Sequence, residues 1–574
     1  MPKLSEKPQF PVLILLLACM TAGGCSIWRG KPDEDENEAL KALMQAPAPP
    51  DLVREAAIPH GMNTLQIEGV GAVSSLAGTG GAADPSLYRE QLLEEMKRRD
   101  VDNPNHFLES PDTALVRVVA AIPPGARRGD PMDIKVLAPK ESRASDLNGG
   151  WLLDTRLRQQ IAVQKQLMQS SVRQSEVLAI GTGPILTRAA YSASMDESNK
   201  IEGTIISGGR VQTSRPLALI LRPRYRHVAM ASAIALAINR RFFFFDGTTR
   251  KGIAEPLEDD YIELEVHPRY RDSIGRMMTV IRAIGVEPES SDTQKRLSNL
   301  ASRLANPATA ADAAIQLEAL GESAVPTLID GLKSTNPELR FYAAEALAYL
   351  DRVEGIEALE DAIREVAAFR APGLVALQGM KSQESVDALK RLTGEASLET
   401  RYGAFCSIRR RSDGPRQLNG QTLGSFWLYQ VQTSASPTVV VSLRESPEVV
   451  LFGNLSNIQL TQFMRGPAGI MIKPDTDSPG QIRISRFQAG EEDRIAVVNT
   501  SVPEFIAGLT AVGGGYGDVI EVLRLAKAKG YLTDQLAIDP LPARMRTYYR
   551  DGDDSEGSDD DSQSDEPKFD PEAA

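Results

Sequence analysis

Residues 65–80 read LQIEGVGAVSSLAGTG and open a stretch of mixed α and β sequence that runs from about residue 64 to residue 288. The glycines Gly78, Gly80 and Gly81 predict a tight turn that needs a positive φ angle. Gly-rich turns also cradle phosphates through their backbone N–H groups. Here the Gly-Lys-Ser/Thr ending of a phosphate loop is missing and the next basic residue is Arg89, so we expect a turn and no nucleotide site.

After this stretch, the hydrophobic pattern predicts strands and helices in alternation up to about residue 284. Continuous or alternating apolar residues predict strands at residues 114–122, 217–221 and 261–266. Apolar residues at helical spacing predict helices at residues 88–99, 227–239 and 270–284.

The section between about residues 297 and 408 has almost no strand pattern and repeats itself. The letters AAIQL at residues 313–317 return as AAEAL at residues 343–347, about 30 residues later. Weaker repeats follow at residues 372–375 and 401–404, and second helices are predicted between the repeated stretches, at residues 324–329 and 385–389. Helix pairs at this period resemble HEAT-like repeats, which bury their apolar faces by stacking on their neighbours. An irregular helical bundle is the alternative.

From about residue 424 to residue 536 the α/β pattern resumes. Residues 438–443 and 448–452 predict two strands of a hairpin that turns near Pro447. Ser501 as N-cap, with Pro503 and Glu504 in the first turn, predicts the start of a helix. A second helix is predicted at residues 518–529, where Gly530 ends it.

The N-terminal segment predicts export. Two lysines precede an apolar run at residues 10–20, which is too short to span about 30 Å of hydrocarbon. It ends in TAGGC at residues 21–25, where small residues before Cys25 resemble a lipobox. We therefore expect Cys25 to be lipidated; the alternative is a simple secretory signal that is cleaved nearby. No later stretch has about 18 consecutive apolar residues, so no transmembrane helix is expected.

Composition limits the classes of function. The chain has 574 residues, of which 42% are hydrophobic, so it can form several packed domains. The formal net charge of -13 argues against nucleic acid as a partner of the whole surface. Three cysteines are present, and because Cys19 would leave with the signal and Cys25 would be lipidated, no internal disulfide is expected. Cys406 is predicted to be a small buried residue.

No arrangement of side chains predicts catalysis. The four histidines, His60, His106, His227 and His267, lack metal-ligand spacing, and no Gly-x-Ser-x-Gly motif is present. We therefore expect no catalytic residues, no metal and no cofactor, and a chain that is not an enzyme. Basic residues at 222, 224, 226, 240 and 241 precede four phenylalanines at 242–245, which predict either a buried strand or an apolar contact patch between subunits.

Several stretches, in order along the chain, resemble the flagellar P-ring protein family once the helical insert is removed. They are LQIEGV at residues 65–70 with LAGTG at 76–80, the strand at 116–121 with IPPGARRGD at 122–130, DIKV at 133–136, ASDLNGG at 144–150, LLDT at 152–155, residues 217–239 ending in AIN, and residues 502–536. The resemblance covers about 330 residues. The lipobox-like Cys25, the helical repeats and the acidic C-terminus depart from the family pattern.

The resemblance implies an α+β fold: a mixed α/β ring-subunit body interrupted by an α-helical HEAT-like solenoid. It also implies a structural role in a periplasmic ring that acts as a bushing around the flagellar rod, with copies of the chain, the rod, neighbouring ring proteins and peptidoglycan as partners. The lipid would anchor the protein, with the outer membrane favoured. The alternative function is a lipid-anchored adaptor that binds a protein partner through its repeats, and an enzyme acting on peptidoglycan is the least favoured.

The predicted order of segments follows from these patterns. They are a lipoprotein signal peptide (1–25), a tether (26–62), the first P-ring-like α/β region (63–290), the HEAT-like repeats (291–415), the second P-ring-like α/β region with its closing helix pair (416–545) and an acidic disordered tail (546–574).

Overall fold

The chain folds in three sections, of which the middle one is helical and the other two contain both helices and strands. The computed structural model describes residues 48–160, 174–192, 194, 196–287, 293–487 and 492–548. The expected α+β fold class is confirmed within these residues. Among the described helices, none has the length and apolar character needed to cross a membrane.

The first section ends at residue 287 and is mostly β-structure. Its strands are β1 (Ala57–His60), β2 (Leu65–Ser74), β3 (Ala114–Ile122), β4 (Pro131–Leu137), β5 (Trp151–Gln160), β6 (Gln174–Pro184), β7 (Leu186–Thr187), β8 (Glu202–Val211), β9 (Leu217–Leu221), β10 (Phe243–Asp246), β11 (Thr249–Gly252), β12 (Ala254–Pro256) and β13 (Tyr261–Leu264). Its helices are α1 (Val53–Ala56), α2 (Leu87–Lys97), α3 (Pro104–Glu109), α4 (Val228–Arg241) and α5 (Ile274–Arg282).

Six of these strands close into a barrel. They follow the order β4-β3-β2-β5-β6-β8, and β4 also pairs with β8, so the sheet returns to its first strand. Alternate side chains of β3, such as Val116 and Val118, are fully buried in the barrel core. A Cβ atom on Gly71 would lie 2.2 Å from Oγ1 of Thr155 on β5, so only glycine allows β2 and β5 to approach this closely.

A smaller sheet in the order β1-β9-β13-β12 packs against α4 and α5. The position of β1, the first strand of this sheet, shows that the predicted end of the tether was wrong. The tether was expected to reach residue 62, but Val53 and Ala56 on α1 are buried and β1 pairs with β9. Apolar residues of this segment thus find partners in the smaller sheet, and the folded section begins before residue 53.

The second section is helical. Its helices are α6 (Thr293–Leu304), α7 (Ala310–Leu320), α8 (Val325–Gly331), α9 (Pro337–Tyr349), α10 (Ile356–Glu365), α11 (Ala367–Gly379), α12 (Gln383–Leu392), α13 (Leu398–Arg410) and α14 (Gly414–Gln417). In this order α7, α9, α11 and α13 each contact the next, while α6 contacts α8 and α10 contacts α12. Stacked helical repeats form two such rows of helices. That these helices are HEAT-like repeats stays a prediction.

The helical section is packed against the α/β body of the first section. Its buried residues Phe341, Ala344 and Tyr349 share one hydrophobic core with Met277 and Ile281 of α5. An amphipathic pattern indicates that a helix buries one face, but it does not indicate which element covers that face. The described part of the repeats is therefore packed against the first section.

The third section returns to mixed α and β structure. Its strands are β14 (Gly420–Leu423), β15 (Phe426–Val431), β16 (Thr438–Val441), β17 (Glu448–Phe452), β18 (Met464–Arg465), β19 (Ile470–Pro474), β20 (Gln481–Arg486), β21 (Arg494–Asn499) and β22 (Gln535–Ile538), and its helices are α15 (Val502–Ala511) and α16 (Tyr516–Ala528). They form a sheet in the order β14-β15-β17-β16-β22 and a second sheet in the order β18-β19-β20-β21. The predicted hairpin is the antiparallel pair β16 and β17.

One local prediction in this section is confirmed and another needs correction. As predicted, α15 begins directly after the N-cap residue Ser501, with Pro503 and Glu504 in its first turn. The Ser501 side chain makes no capping hydrogen bond, and the Glu504 carboxylate accepts hydrogen bonds from the backbone N–H and the side chain of Asn499. The acidic tail was expected to begin at residue 546, yet Arg546 pairs with Glu399 at 2.8 Å and Tyr548 stacks on Phe369. The rest of that segment lies outside the described residues.

Candidate functional site

Few of the residues singled out by the sequence analysis bear on function. Cys25 lies outside the described residues, so its lipidation stays a prediction. Cys406 is buried as expected, and burial raises the pKa of its thiol to about 12. Gly78 has the positive φ angle, +78°, that the turn needs, and a Cβ on Gly80 would lie 2.1 Å from the carbonyl oxygen of Thr113. The described residues contain no group of three or more His, Cys, Asp and Glu that would hold a metal ion.

The four phenylalanines differ in burial, and the contact patch between subunits stays a prediction. Phe242 is buried against Tyr270, with ring centres 5.3 Å apart, whereas Phe245 on β10 is 63% exposed. Phe243, Phe244 and Phe245 line a polar cleft of about 1180 Å³ between α4 and the first helices of the repeats. Two of the cationic side chains in the cleft are already paired, Arg269 with Asp351 at 2.8 Å and Arg352 with Glu322.

Buried charged residues pair at two places where sections of the protein meet. The first such place, which we call the α5 junction, is centred on Arg276. Its guanidinium lies 2.6 Å from Oε2 of Glu318 on α7 and 2.6 Å from Oε2 of Glu345 on α9. The hydroxyl of Tyr270 donates to the other oxygen of Glu318 at 2.5 Å, and the Arg276 guanidinium lies over the ring of Tyr349 at 4.6 Å.

Both carboxylates of the α5 junction are buried, with side-chain exposures of 0% for Glu318 and 9% for Glu345. Burial raises the pKa of Glu345, and the Arg276 charge partly offsets that rise. A buried cation held between two carboxylates ties the first section to the repeats, because removing Arg276 leaves both carboxylates in the interior without their counter-charge.

The second place, which we call the Glu445 junction, joins all three sections. The Glu445 carboxylate accepts hydrogen bonds from Arg410 on α13 at 2.6 and 2.8 Å. Its backbone N–H donates to the Asp133 carboxylate of β4 at 2.9 Å, and its carbonyl accepts from the Ser207 hydroxyl of β8 at 2.7 Å. Although burial alone would raise it, the Arg410 and Arg409 charges hold the pKa of Glu445 below its ordinary value.

Two residues of the Glu445 junction have strained backbone conformations. Glu445 and Ser207 both have positive φ angles, +62° and +55°, although neither is glycine. Such conformations cost about 1–3 kcal/mol each and persist only where the surroundings hold them. Here the Asp133 carboxylate accepts from the backbone N–H of both residues, at 2.9 and 2.7 Å, and thus holds the two turns together.

A fully buried carboxylate, Glu448, lies beside this junction. The Tyr402 hydroxyl is 3.3 Å from its carboxylate, and Nε of Arg409 is 3.1 Å away but is not aligned for a hydrogen bond. Burial raises the pKa of Glu448 to about 7, despite the opposing effect of the Arg409 charge. The folded protein therefore keeps a proton on Glu448 that the unfolded chain releases near its ordinary pKa of about 4.5.

We expect the Glu448→Gln variant to lose less stability than the native protein as the pH rises from about 4 to about 8. Because the folded pKa is raised, the native protein binds more protons folded than unfolded in this range, and its stability falls as the pH increases. Between a pKa of 4.5 and one of about 7, this fall amounts to about 3 kcal/mol. Urea unfolding of both proteins across the pH range measures the difference, and parallel curves would contradict the expectation.

The predicted closing helix pair packs against the first section. Leu186 on β7 and Ala190 share a hydrophobic core with Phe505 of α15 and Leu523 of α16. Nη1 of Arg524 also donates to the carbonyl oxygen of Ser192 at 2.6 Å. Two stretches more than 300 residues apart in sequence therefore form one packed unit.

Sequence reasoning missed the junction residues, although the chain carries a weak signal for some of them. Arg276 lies in the apolar helix IGRMMTVIR, and Glu345 lies in the repeat text AAEAL. A single charge on the apolar face of a helix indicates a buried partner. Asp133 and Glu445 carry no such signal, because their contact depends on a fold that brings together residues 312 positions apart.

Comparison with known proteins shows which protein family the first section resembles. A family model described as the flagellar P-ring protein matches residues 53–296. The flagellar P-ring protein of Thermotoga maritima is 25% identical over 246 residues, which cover 41% of this chain and 67% of that protein. That of Nitrobacter winogradskyi is 28% identical over 256 residues, covering 43% and 64%. That of Methylobacillus flagellatus is 27% identical over 240 residues, covering 40% and 59%.

These alignments span about two thirds of each relative or less. The family match includes the six-stranded barrel and the β1-β9-β13-β12 sheet, and it ends at residue 296. The likeness of residues 502–536 to the family's closing helices therefore stays a prediction. The resemblance suggested by the sequence is thus confirmed for the first section: residues 53–296 match the flagellar P-ring protein family.

Proposed function

We propose that this protein is a structural subunit of a periplasmic ring in the flagellar basal body, where the ring surrounds the rod as a bushing. The observation that carries the proposal is the family match over residues 53–296, which contain the barrel. The protein would catalyse no reaction. Its work would be mechanical: copies associate head to tail, and a fixed rotation between neighbours closes them into a ring.

The junctions suit such a mechanical role. A bushing must keep its shape under load, and buried ion pairs and strained turns are held only by a rigid surrounding structure. The α5 junction ties the repeats to the first section, and the Glu445 junction ties all three sections together. An adaptor without a flagellar role is not favoured, because it leaves the family match of the first section unexplained.

The remaining expectations belong to this proposal. The lipid on Cys25 would anchor the ring to a membrane, with the outer membrane favoured, and the repeats would offer a surface to a neighbouring envelope protein. Peptidoglycan around the ring is the further expected partner. Each of these assignments follows from the sequence patterns described above.

The lipid anchor has a direct test. In the Cys25→Ser variant the thiol that would be acylated is absent, so we expect the exported protein to leave the membrane fraction after a salt wash. Immunoblots of washed membranes and of the soluble fraction measure its distribution, with the native protein as reference. Retention of the variant in the washed membranes would refute the lipid anchor.

The ring function is tested by deleting the gene and scoring swimming motility. We expect loss of swimming, because the rod would lack its bushing, and recovery when the native gene is restored. A complementing Lys333→Met variant, changed only at an exposed side chain, is the matched control and is expected to swim. Intact motility of the deletion strain would remove the flagellar assignment.

A further inference from the structure

One helix of the first section presents apolar side chains on both of its faces. Its inner face, which includes Met230 and Ile234, is buried in the core. On the outer face Val228 is 66% exposed and Leu236 is 55% exposed, and Ala229, Ser232 and Ala233 between them are exposed as well. A surface helix normally carries polar residues on its outer face, so α4 has an outer face suited to burial against a partner.

This outer face of α4 is flanked by positive charge. Arg222 and Arg224 precede the helix and Arg240 lies in its last turn, and all three are exposed. In the part of the chain that the structure describes, no carboxylate lies within ion-pair distance of these three arginines, whereas the neighbouring Arg226 pairs with Asp260 at 3.1 Å. We call Arg222, Arg224, Val228, Leu236 and Arg240 the α4 surface.

The second unpartnered face belongs to the β18-β19-β20-β21 sheet. On β21, Ala496 and Val498 turn toward the core, while Ile495 and Val497 point outward and are 55% and 42% exposed. This strand pairs with β20 alone within the described residues, so its other edge has no strand partner. Open edges with exposed β-branched residues are templates for association unless another surface covers them.

The charge beside β21 is opposite in sign to that beside α4. Glu492 and Asp493, directly before the strand, are exposed, and no described cation lies within ion-pair distance of either. Phe487, which follows β20, adds an apolar side chain that is 44% exposed. We call Phe487, Glu492, Asp493, Ile495 and Val497 the β21 surface.

We infer that the α4 surface of one copy docks on the β21 surface of the next copy. Each surface joins an apolar centre to a charged flank, and the flanks are basic on one and acidic on the other, as complementary partners require. Neither surface suits an identical copy of itself, since like charges would meet. A contact between two different surfaces of one chain is heterologous and repeats from copy to copy, which is the contact that a ring needs.

This inference rests on the proposed ring function and names the surfaces that would build the ring. The two contact surfaces belong to elements that pack on different hydrophobic cores. The inner face of α4 lies in the core shared with the repeats, and the inner face of β21 packs against the core of the third section. A rigid connection between those cores, through the Glu445 junction, would fix the rotation between neighbouring copies.

Charge reversal tests the inference on the purified full chain. The pair Arg222→Glu and Arg224→Glu, and separately the pair Glu492→Lys and Asp493→Lys, are each expected to raise the concentration at half assembly by about tenfold or more, because like charges then face each other. Combining all four substitutions restores opposite charges and is expected to recover assembly. Sedimentation velocity measures the assembled fraction, and thermal unfolding verifies that each variant folds.

The matched control reverses two exposed lysines outside both surfaces, Lys135→Glu and Lys140→Glu, and is expected to assemble as the native chain does. Native assembly that neither charge reversal weakens, or that the fourfold variant fails to recover, would overturn the inference while leaving the ring function standing. A native chain that stays monomeric in the same experiment would overturn the ring function and the inference with it.

Discussion

Replacing Arg276 by methionine is expected to lower the free energy of unfolding by about 3–5 kcal/mol. The substitution keeps an unbranched side chain of similar length but removes the cation that lies between the buried carboxylates of Glu318 and Glu345 at the α5 junction. Two carboxylates then face each other in the interior without a counter-charge. Urea unfolding of the native and variant proteins measures the loss.

The pH dependence of this loss separates charge from packing. Burial already raises the pKa of Glu345, and without Arg276 that carboxyl gains still more from protonation. The folded variant would therefore bind protons as the pH falls, so we expect a smaller loss at about pH 5 than at about pH 8.

A matched control comes from an exposed ion pair. Lys333 lies 2.7 Å from Asp330, and both side chains are more than 70% exposed. The Lys333→Met variant is expected to lose less than about 1 kcal/mol, since solvent screens such pairs. Equal losses in the two variants would contradict the claim that the α5 junction holds the repeats on the first section.

The second large effect is expected for Phe505→Ala, with a loss of about 3–5 kcal/mol. Phe505 on α15 is fully buried in the core that also contains Leu186 and Ala190 of the first section. Truncation leaves a cavity where the closing helix pair meets the first section, because the surrounding side chains are held by several different elements.

The same substitution at an exposed phenylalanine is the control for Phe505→Ala. Phe463 is 53% exposed, so Phe463→Ala is expected to change the free energy of unfolding by no more than about 0.5 kcal/mol. Thermal unfolding of both variants measures the difference. A small effect at Phe505 would mean that the closing helices contribute little to the stability of the folded unit.

Local elements followed from the sequence wherever a single pattern decided them. The strand predicted at residues 114–122 is β3 with the same bounds, since apolar residues fill this span and turn residues follow it. The helix predicted at residues 270–284 is shorter, because Pro268–Tyr270 forms a separate 3₁₀ turn and α5 covers only Ile274–Arg282. Periodicity locates apolar faces, and tertiary contacts then decide where each element begins.

Long-range pairing did not follow from the sequence. Closure of the barrel depends on β4 meeting β8, and the Glu445 junction depends on β4 meeting the turn between β16 and β17. Neither contact has a local sequence pattern. The order of the resembling stretches predicted one body built from the first and third sections, and these sections do share a hydrophobic core. It offered no expectation for where the inserted helices would pack.

Electron microscopy of the purified mature protein tests the central claim most directly, namely that the first and third sections form one ring-building unit. We predict closed rings of uniform diameter, whose subunits each show a barrel, a helical stack and the third section in contact. A protein that remains a stable monomer at high concentration would contradict the account.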